Sequence, residues 1–391
     1  MGMFSARTDW DFQPNELTSL LAAKRLRGDE ILDLTESNPT RCGFDYQPQY
    51  TLEALSTRRS LVYEPHPKGI LSARAAVAEY YSRQGIALDP DHIILTAGTS
   101  EAYGFLLRLL CNGRDSVALV KPGYPLLDYL CQINDVIPRH VRLSYNGGWH
   151  LDLQALNVEL AARAKAVVLV HPNNPTGSYT EQNERENIVA SASSAGAAIL
   201  SDEVFHPFPM DGAHPAAPSF ATNNRCLTFT INGISKLLGL PQLKLGWIVV
   251  SGPSREVEGA ISRLEMISDL FLSVGTPVQQ ALPLLLQDPA GLTLQIGTRI
   301  RRNRAYLATS SGKTSAVELL GGEGGWYAVL RLPRIRTDEE WAHVLLKEWN
   351  VLVHPGSLFD FEEESIVVMS LIQKEEIFER GIVRILSAFD V

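Results

Sequence analysis

The stretch NGISKLLGLPQLKLGW, residues 232–247, sets Lys236 and Lys244 among apolar and glycine residues with no acid between them. A solvated surface would account for both, since lysine is seldom fully buried. The chemical alternative is an amine kept neutral by a dry site or a neighbouring cation, able to attack a carbonyl carbon. Lys236 follows the apolar run CLTFTI (226–231) and stands beside Ser235. Lys244 opens a second apolar run, LGWIVV. Lys236 is therefore read as the nucleophile and Lys244 as a fixed positive charge for an anion.

Three more apolar runs end on polar residues unsuited to a core. HIILTA (92–97) leads into Gly98, Thr99 and Ser100, then a helical pattern. Free backbone N–H groups at a helix start favour an anion. An ordinary serine cap would look the same. KAVVLVHP (165–172) leads into NNPTG, where Asn174 is either plain turn chemistry or an amide donor to a ligand oxygen. AAILSDE (197–203) delivers Asp202 at a strand end. A buried carboxylate there needs a partner, either a helix cap or salt bridge or a cationic ring nitrogen.

What positions these groups is an alternation of short apolar runs with helical stretches such as 101–111 and 181–197. Runs that are apolar throughout suit strands covered on both faces. The alternation points to an α/β fold with a mostly parallel sheet. Such sheets bind ligands beyond the carboxyl ends of their strands, so all four polar clusters should converge on one edge. After residue 253 the pattern changes. A helical stretch (254–288), an arginine-rich helix (299–308), a strand-like run (325–333), a helix (337–348), VLVHPG and SIVVMSL read as a smaller α+β part. The expected division is a large α/β domain over 46–285 and a small domain built from 1–45 and 286–391.

The bulk properties exclude several classes. The chain has 391 residues, 20% charged, with a formal net charge of −9. That balance argues against nucleic acid or an anionic membrane as partner. No apolar run reaches membrane-span length, and MGMFSARTDWDF lacks the parts of a signal peptide. Its Met-Gly opening has Ala6 where lipidation wants Ser or Thr. Cys42, Cys111, Cys131 and Cys226 have no spacing suited to zinc or redox work. A cytoplasmic protein with reduced thiols is expected, holding no metal.

In combination, YEPHPKG, GTSEA, PGYPLLDY, NNPTG, SDEVF, SK…K.GW and GGWY resemble the class I/II aminotransferases, pyridoxal-phosphate enzymes of fold type I. The resemblance implies a seven-stranded, mostly parallel sheet flanked by helices. It implies amino transfer between an amino acid and a 2-oxo acid through a Lys236 Schiff base. Asp202 would hold the pyridine nitrogen protonated, so that the ring draws off electrons from the substrate Cα. Asn174 would donate to the ring oxygen O3′ and Tyr124 would stack on the ring. Gly98, Thr99, Ser100 and Ser235 would hold the phosphate. Lys244 takes the place of an arginine and keeps only its charge. Tyr63 would reach the neighbouring subunit's phosphate, which implies a homodimer. Substrate contacts would fall on Asn174, Ser37 and Arg41.

Two positions depart from the family pattern. Phe205 stands where D-x-x-Y places a tyrosine donor to O3′, which implies a more alkaline activity optimum. Val368 stands where an arginine grips the substrate carboxylate. Arg41 and Arg331 are candidate replacements, while Arg384 falls in the expected last helix. Two other readings use the same scaffold: a lyase that cleaves a β carbon–sulfur bond, and a non-enzymatic, cofactor-bearing regulatory domain. No basic recognition helix precedes the large domain, as the regulator would require.

Overall fold

The structure is a computed structural model that describes residues 3–10, 12–210, 217–313 and 316–389. Eight strands form its main sheet: β1 (Ile93–Thr96), β2 (Ser116–Lys121), β3 (Ile137–Tyr145), β4 (Trp149–Leu151), β5 (Ala166–Val170), β6 (Ala198–Asp202), β7 (Thr228–Gly233) and β8 (Gly246–Ser251). Their order across the sheet is β1-β8-β7-β6-β5-β2-β3-β4. The run from β7 to β3 is parallel. β8 lies antiparallel between β7 and β1, so β1 and β7 point the same way. The antiparallel edge strand β4 adds an eighth strand to the seven expected.

β1, β6 and β7 are buried along their whole length, their apolar and β-branched stretches being covered on both faces and the last residues of β6 and β7, Asp202 and Gly233, turned into the edge of a cavity. The helices Thr99–Leu110 and Ser254–Asp269 cover one face, through Phe105, Leu106 and Leu264. The helices Leu153–Ala161 and Gln182–Ala195 cover another part of the sheet through Leu156, Ile188 and Ala192. The helical run expected over 254–288 is two helices, Ser254–Asp269 and Thr276–Leu285. Leu272 has φ of 44° in the break, and Pro277 in the first turn of the second helix cannot donate to a preceding carbonyl.

A second sheet of four antiparallel strands comes from β9 (Glu318–Leu319), β10 (Tyr327–Arg331), β11 (His354–Pro355) and β12 (Ile366–Ser370), in the order β9-β10-β12-β11. The pleat sends Ala328, Leu330, Val367 and Met369 into one core with Trp326, Leu345 and Phe378. It sends Val329, Ile366 and Val368 into another with Trp149 and Phe359. The N-terminal segment joins this region. Leu32 and Asp33 pair in parallel with Val351 and Leu352, and the helix Glu16–Arg27 packs on Asp338–Trp349. Among the described residues, no helix is long and apolar enough to cross a membrane and no cluster suits a metal ion.

Candidate active site

The carboxyl ends of β1, β5, β6 and β7 meet at one edge of the sheet, over a cavity of about 130 Å³. Thr99, Ser100, Tyr124, Asn174, Asp202, Ser235 and Lys236 line it, with Val170, Val204, Phe205, Leu245 and Tyr327. Each polar residue arrives by its own local cause. Gly98 has φ of 131° and caps the helix Thr99–Leu110 without a side chain, so it leaves the first N–H groups of that helix toward the cavity. Its backbone lies so close to β8 that a Cβ on Gly246 would stand 3.1 Å from its carbonyl carbon. β7 ends on Gly233, and the short helix Ile234–Leu237 turns Ser235 and Lys236 into the cavity.

In the turn after β5, the two asparagines divide the work. Asn173 holds the turn, donating from Nδ2 to the Pro122 carbonyl at 3.2 Å and accepting from the Thr176 hydroxyl at 2.9 Å. Asn174 is buried in the cavity, and its Oδ1 has no hydrogen-bond partner in the protein.

Asp202 is 7% exposed. Its carboxylate accepts from the Tyr103 hydroxyl at 3.1 Å and from the Val204 N–H at 3.2 Å. Burial pushes its pKa up to about 6, against the two hydrogen bonds. Burial pushes the Lys236 ammonium below the ordinary lysine range, with the Asp202 charge acting the other way. The Lys236 Nζ stands 4.9 Å from the Trp326 ring centroid and 5.9 Å from that of Phe205. The site thus sets a buried carboxyl with a raised pKa beside a buried amine with a lowered one.

The other residues singled out from sequence are not among those that line the cavity. Lys244 is exposed in a left-handed conformation, φ 52°, just ahead of β8. The two lysines therefore occupy different environments. Tyr63 is 74% exposed. Ser37 donates to the Thr35 carbonyl at 2.8 Å and reaches the phenol of Tyr327 behind the cavity wall. Arg41 is exposed, 3.8 Å from Glu36. Arg331 is held by Glu318 and Glu363 at 2.5 and 2.6 Å, and Arg384 donates to the Trp349 carbonyl from the last helix. Val368 is fully buried among apolar side chains, so Lys236 is the one cation among the residues lining the cavity.

Two residues of the site, Tyr103 beside Asp202 and Tyr327 on the cavity wall, were given no role in the sequence reading. Tyr103 was detectable in principle, since it sits one helical turn after Thr99 and faces the same edge. Tyr327 comes from β10, far along the chain, and only the tertiary structure brings it here. Burial pushes its phenol up to about 12.

Comparison with known proteins agrees with this geometry. A family model described as aminotransferase class I and II matches residues 30–377. The chain is 28% identical to glutamate-pyruvate aminotransferase AlaA of Haemophilus influenzae, covering 85% of this chain and 84% of that one. It is 28% identical to an alanine aminotransferase of Mycobacterium bovis, covering 85% and 80%. An alanine aminotransferase structure from Pyrococcus furiosus superposes with a TM-score of 0.88 at 21% identity, over 99% of both chains. Aspartate aminotransferase of Thermus thermophilus gives 0.84 at 24% identity, over 98% of this chain and 99% of that one. With the family model spanning most of its length, the chain belongs to the class I and II aminotransferases, which are pyridoxal-phosphate-dependent.

Proposed function

We propose that this protein transfers an amino group between an amino acid and a 2-oxo acid, with Lys236 as the catalytic amine and Asp202 as the buried acid of the cofactor site. The observation that carries the reading is the convergence of Lys236, Asp202 and Asn174 from three strand ends on one cavity. The residues fit pyridoxal phosphate. The Asn174 side-chain amide, whose N–H is a donor, stands on the cavity, Asp202 is a nearly buried carboxyl beside it, and the helix at Thr99 starts without a side-chain cap.

Pyridoxal phosphate, when bound, supplies a ring that takes up the electron pair left on the substrate Cα. Asp202 would hold a proton at the ring nitrogen, and Asn174 would donate to the phenolic oxygen. Tyr124 would lie against the ring face. The N–H groups at Gly98, Thr99 and Ser100, with the Ser235 hydroxyl, would hold the phosphate, and Lys244 would add positive charge. As a neutral amine, Lys236 would take the proton from the substrate Cα and return it to the cofactor carbon two bonds away, across the nitrogen. Asn174, Ser37 and Arg41 remain the proposed substrate contacts, Ser37 acting through Tyr327.

The reading extends to a cytoplasmic homodimer in which Tyr63 reaches the neighbouring site. Leu61, Val62 and Tyr63, exposed at 88, 52 and 74%, support it. It also divides the chain into a large part over 46–285 and a small part from 1–45 and 286–391. The pairing of Leu32 with Val351 supports that division.

The test is a coupled assay with alanine and glutamate, the amino acids in the relatives' names, each with a 2-oxo acid acceptor. Transfer in the wild type and its loss in Lys236→Ala are expected. Borohydride should attach the cofactor to the peptide carrying Lys236. Pyruvate and ammonia released from a single amino acid, with no acceptor present, would instead identify a lyase.

A further inference from the structure

Lys121 ends β2 and is 1% exposed, yet it takes no part in the site described above. Its ammonium lies between two carboxylates, Asp128 at 2.5 Å and Asp360 at 2.6 Å. Asp128 belongs to the helix Leu126–Ile133 that follows Tyr124, and its other oxygen lies 2.8 Å from the His140 Nε2 on β3. Asp360 comes from the loop after the turn Gly356–Phe359, beside the second sheet, with φ of 60°. That loop makes three more bonds back to the main-sheet side. Gly123 N–H donates to the Phe359 carbonyl at 2.9 Å. Arg142 donates to the Asp360 carbonyl at 2.7 Å and pairs with Glu362 at 3.0 Å.

A buried lysine is costly to desolvate unless it is paired. Here one ammonium serves two carboxylates that would otherwise repel, and each carboxylate belongs to a different sheet's surroundings. Tyr124 follows Lys121 by three residues, across Pro122 and Gly123. Phe359 precedes Asp360 and packs against Tyr327, ring centroids 6.3 Å apart. Tyr124 and Tyr327 are both walls of the cavity.

We propose that Lys121 is a positioning residue for amino transfer: by clamping Asp128 and Asp360 together it fixes the spacing of Tyr124 and Tyr327, one wall from each sheet. The proposal rests on the reading of that cavity as the site of amino transfer. Lys121, Asp128 and Asp360 are not among the residues lining the cavity, so the clamp acts through the two tyrosine-bearing segments. A lost clamp therefore loosens the fit of what is bound between the two tyrosines while leaving Lys236 and Asp202 where they are.

Two measurements test it. In the holoenzyme, Asp360→Asn and Lys121→Met are each expected to raise KM for the amino acid about tenfold, with kcat within about twofold. Asp360→Glu, which keeps the charge, should restore KM toward wild type. In the chain without cofactor, amide hydrogen exchange should quicken at Gly123 as well as at 356–361 in Asp360→Asn. A variant that loses only thermal stability, with KM unchanged and Gly123 protected as before, overturns the proposal. Should Lys121→Met fail to fold, Asp360→Asn decides alone, since its altered side chain is half-exposed. Should Lys236→Ala keep its activity, the functional reading falls while the exchange at Gly123 still decides whether the clamp joins the two segments.

Discussion

Asp202 makes a pH dependence of stability that can be given a sign. Its folded pKa, about 6, lies above the ordinary 3.8. A carboxyl raised on folding stabilises the fold fully below its unfolded pKa, and that contribution is lost as pH climbs through the folded value. Two pKa units correspond to roughly 3 kcal/mol. Asp338, also pushed up to about 6 by burial, contributes a second share. The cofactor-free chain should therefore lose stability between pH 4 and 7, and Asp202→Asn should remove about half of that slope. Urea midpoints at the two pH values check this, and an unchanged slope in the variant would contradict the environment assigned to Asp202. At the neighbouring position, Phe205 packs on Trp326 and Tyr327 with ring centroids 5.6 and 6.2 Å away. It offers the cavity no hydroxyl. Phe205→Tyr adds a donor there, and the optimum of amino transfer should move about one unit toward acid. A pH–rate profile of the two proteins is the check.

At the scale of elements, the site depends on glycine positions that let strands close on one another. A Cβ on Gly233 would stand 2.8 Å from the Leu245 carbonyl oxygen and 2.9 Å from the Gly246 Cα. Both are backbone atoms that cannot swing aside. Gly233→Ala should cost about 1–3 kcal/mol through this overpacking and displace Ser235 and Lys236. Cofactor affinity should then fall together with the melting temperature. Wild-type affinity in the variant would show that the turn adapts. Elements buried on both faces were the legible ones: β5, β6 and β7 stand where their apolar runs predict. The strands β3 and β4 were missed because they lie at the sheet edge. Arg139 and His140 are exposed there, and the apolar signal is diluted. The break at Leu270–Gly275 was readable in hindsight from Gly275 and Pro277.

For the whole molecule, the exposed cluster of Leu61, Val62 and Tyr63 and the exposed Leu270 and Phe271 give the proposed dimer its expected consequence. Leu61→Asp should shift the protein toward monomer in sedimentation velocity and weaken cofactor binding, since the partner's Tyr63 contact would be lost with it. A dimer of wild-type strength and full affinity would remove this surface from the interface. The sequence by itself determined the alternation of the central strands with helices and the edge of the sheet where polar residues collect. Those are local matters of apolar period, glycine turns and strand ends. Only the tertiary structure decided that Lys236 is desolvated while Lys244 is not, that Tyr103 reaches Asp202, that Tyr327 joins the cavity from the second sheet, and that Lys121 is buried between two acids. Each of these depends on groups brought together from distant parts of the chain, and desolvation and ion pairing are set by what surrounds a group in space rather than by its neighbours in sequence.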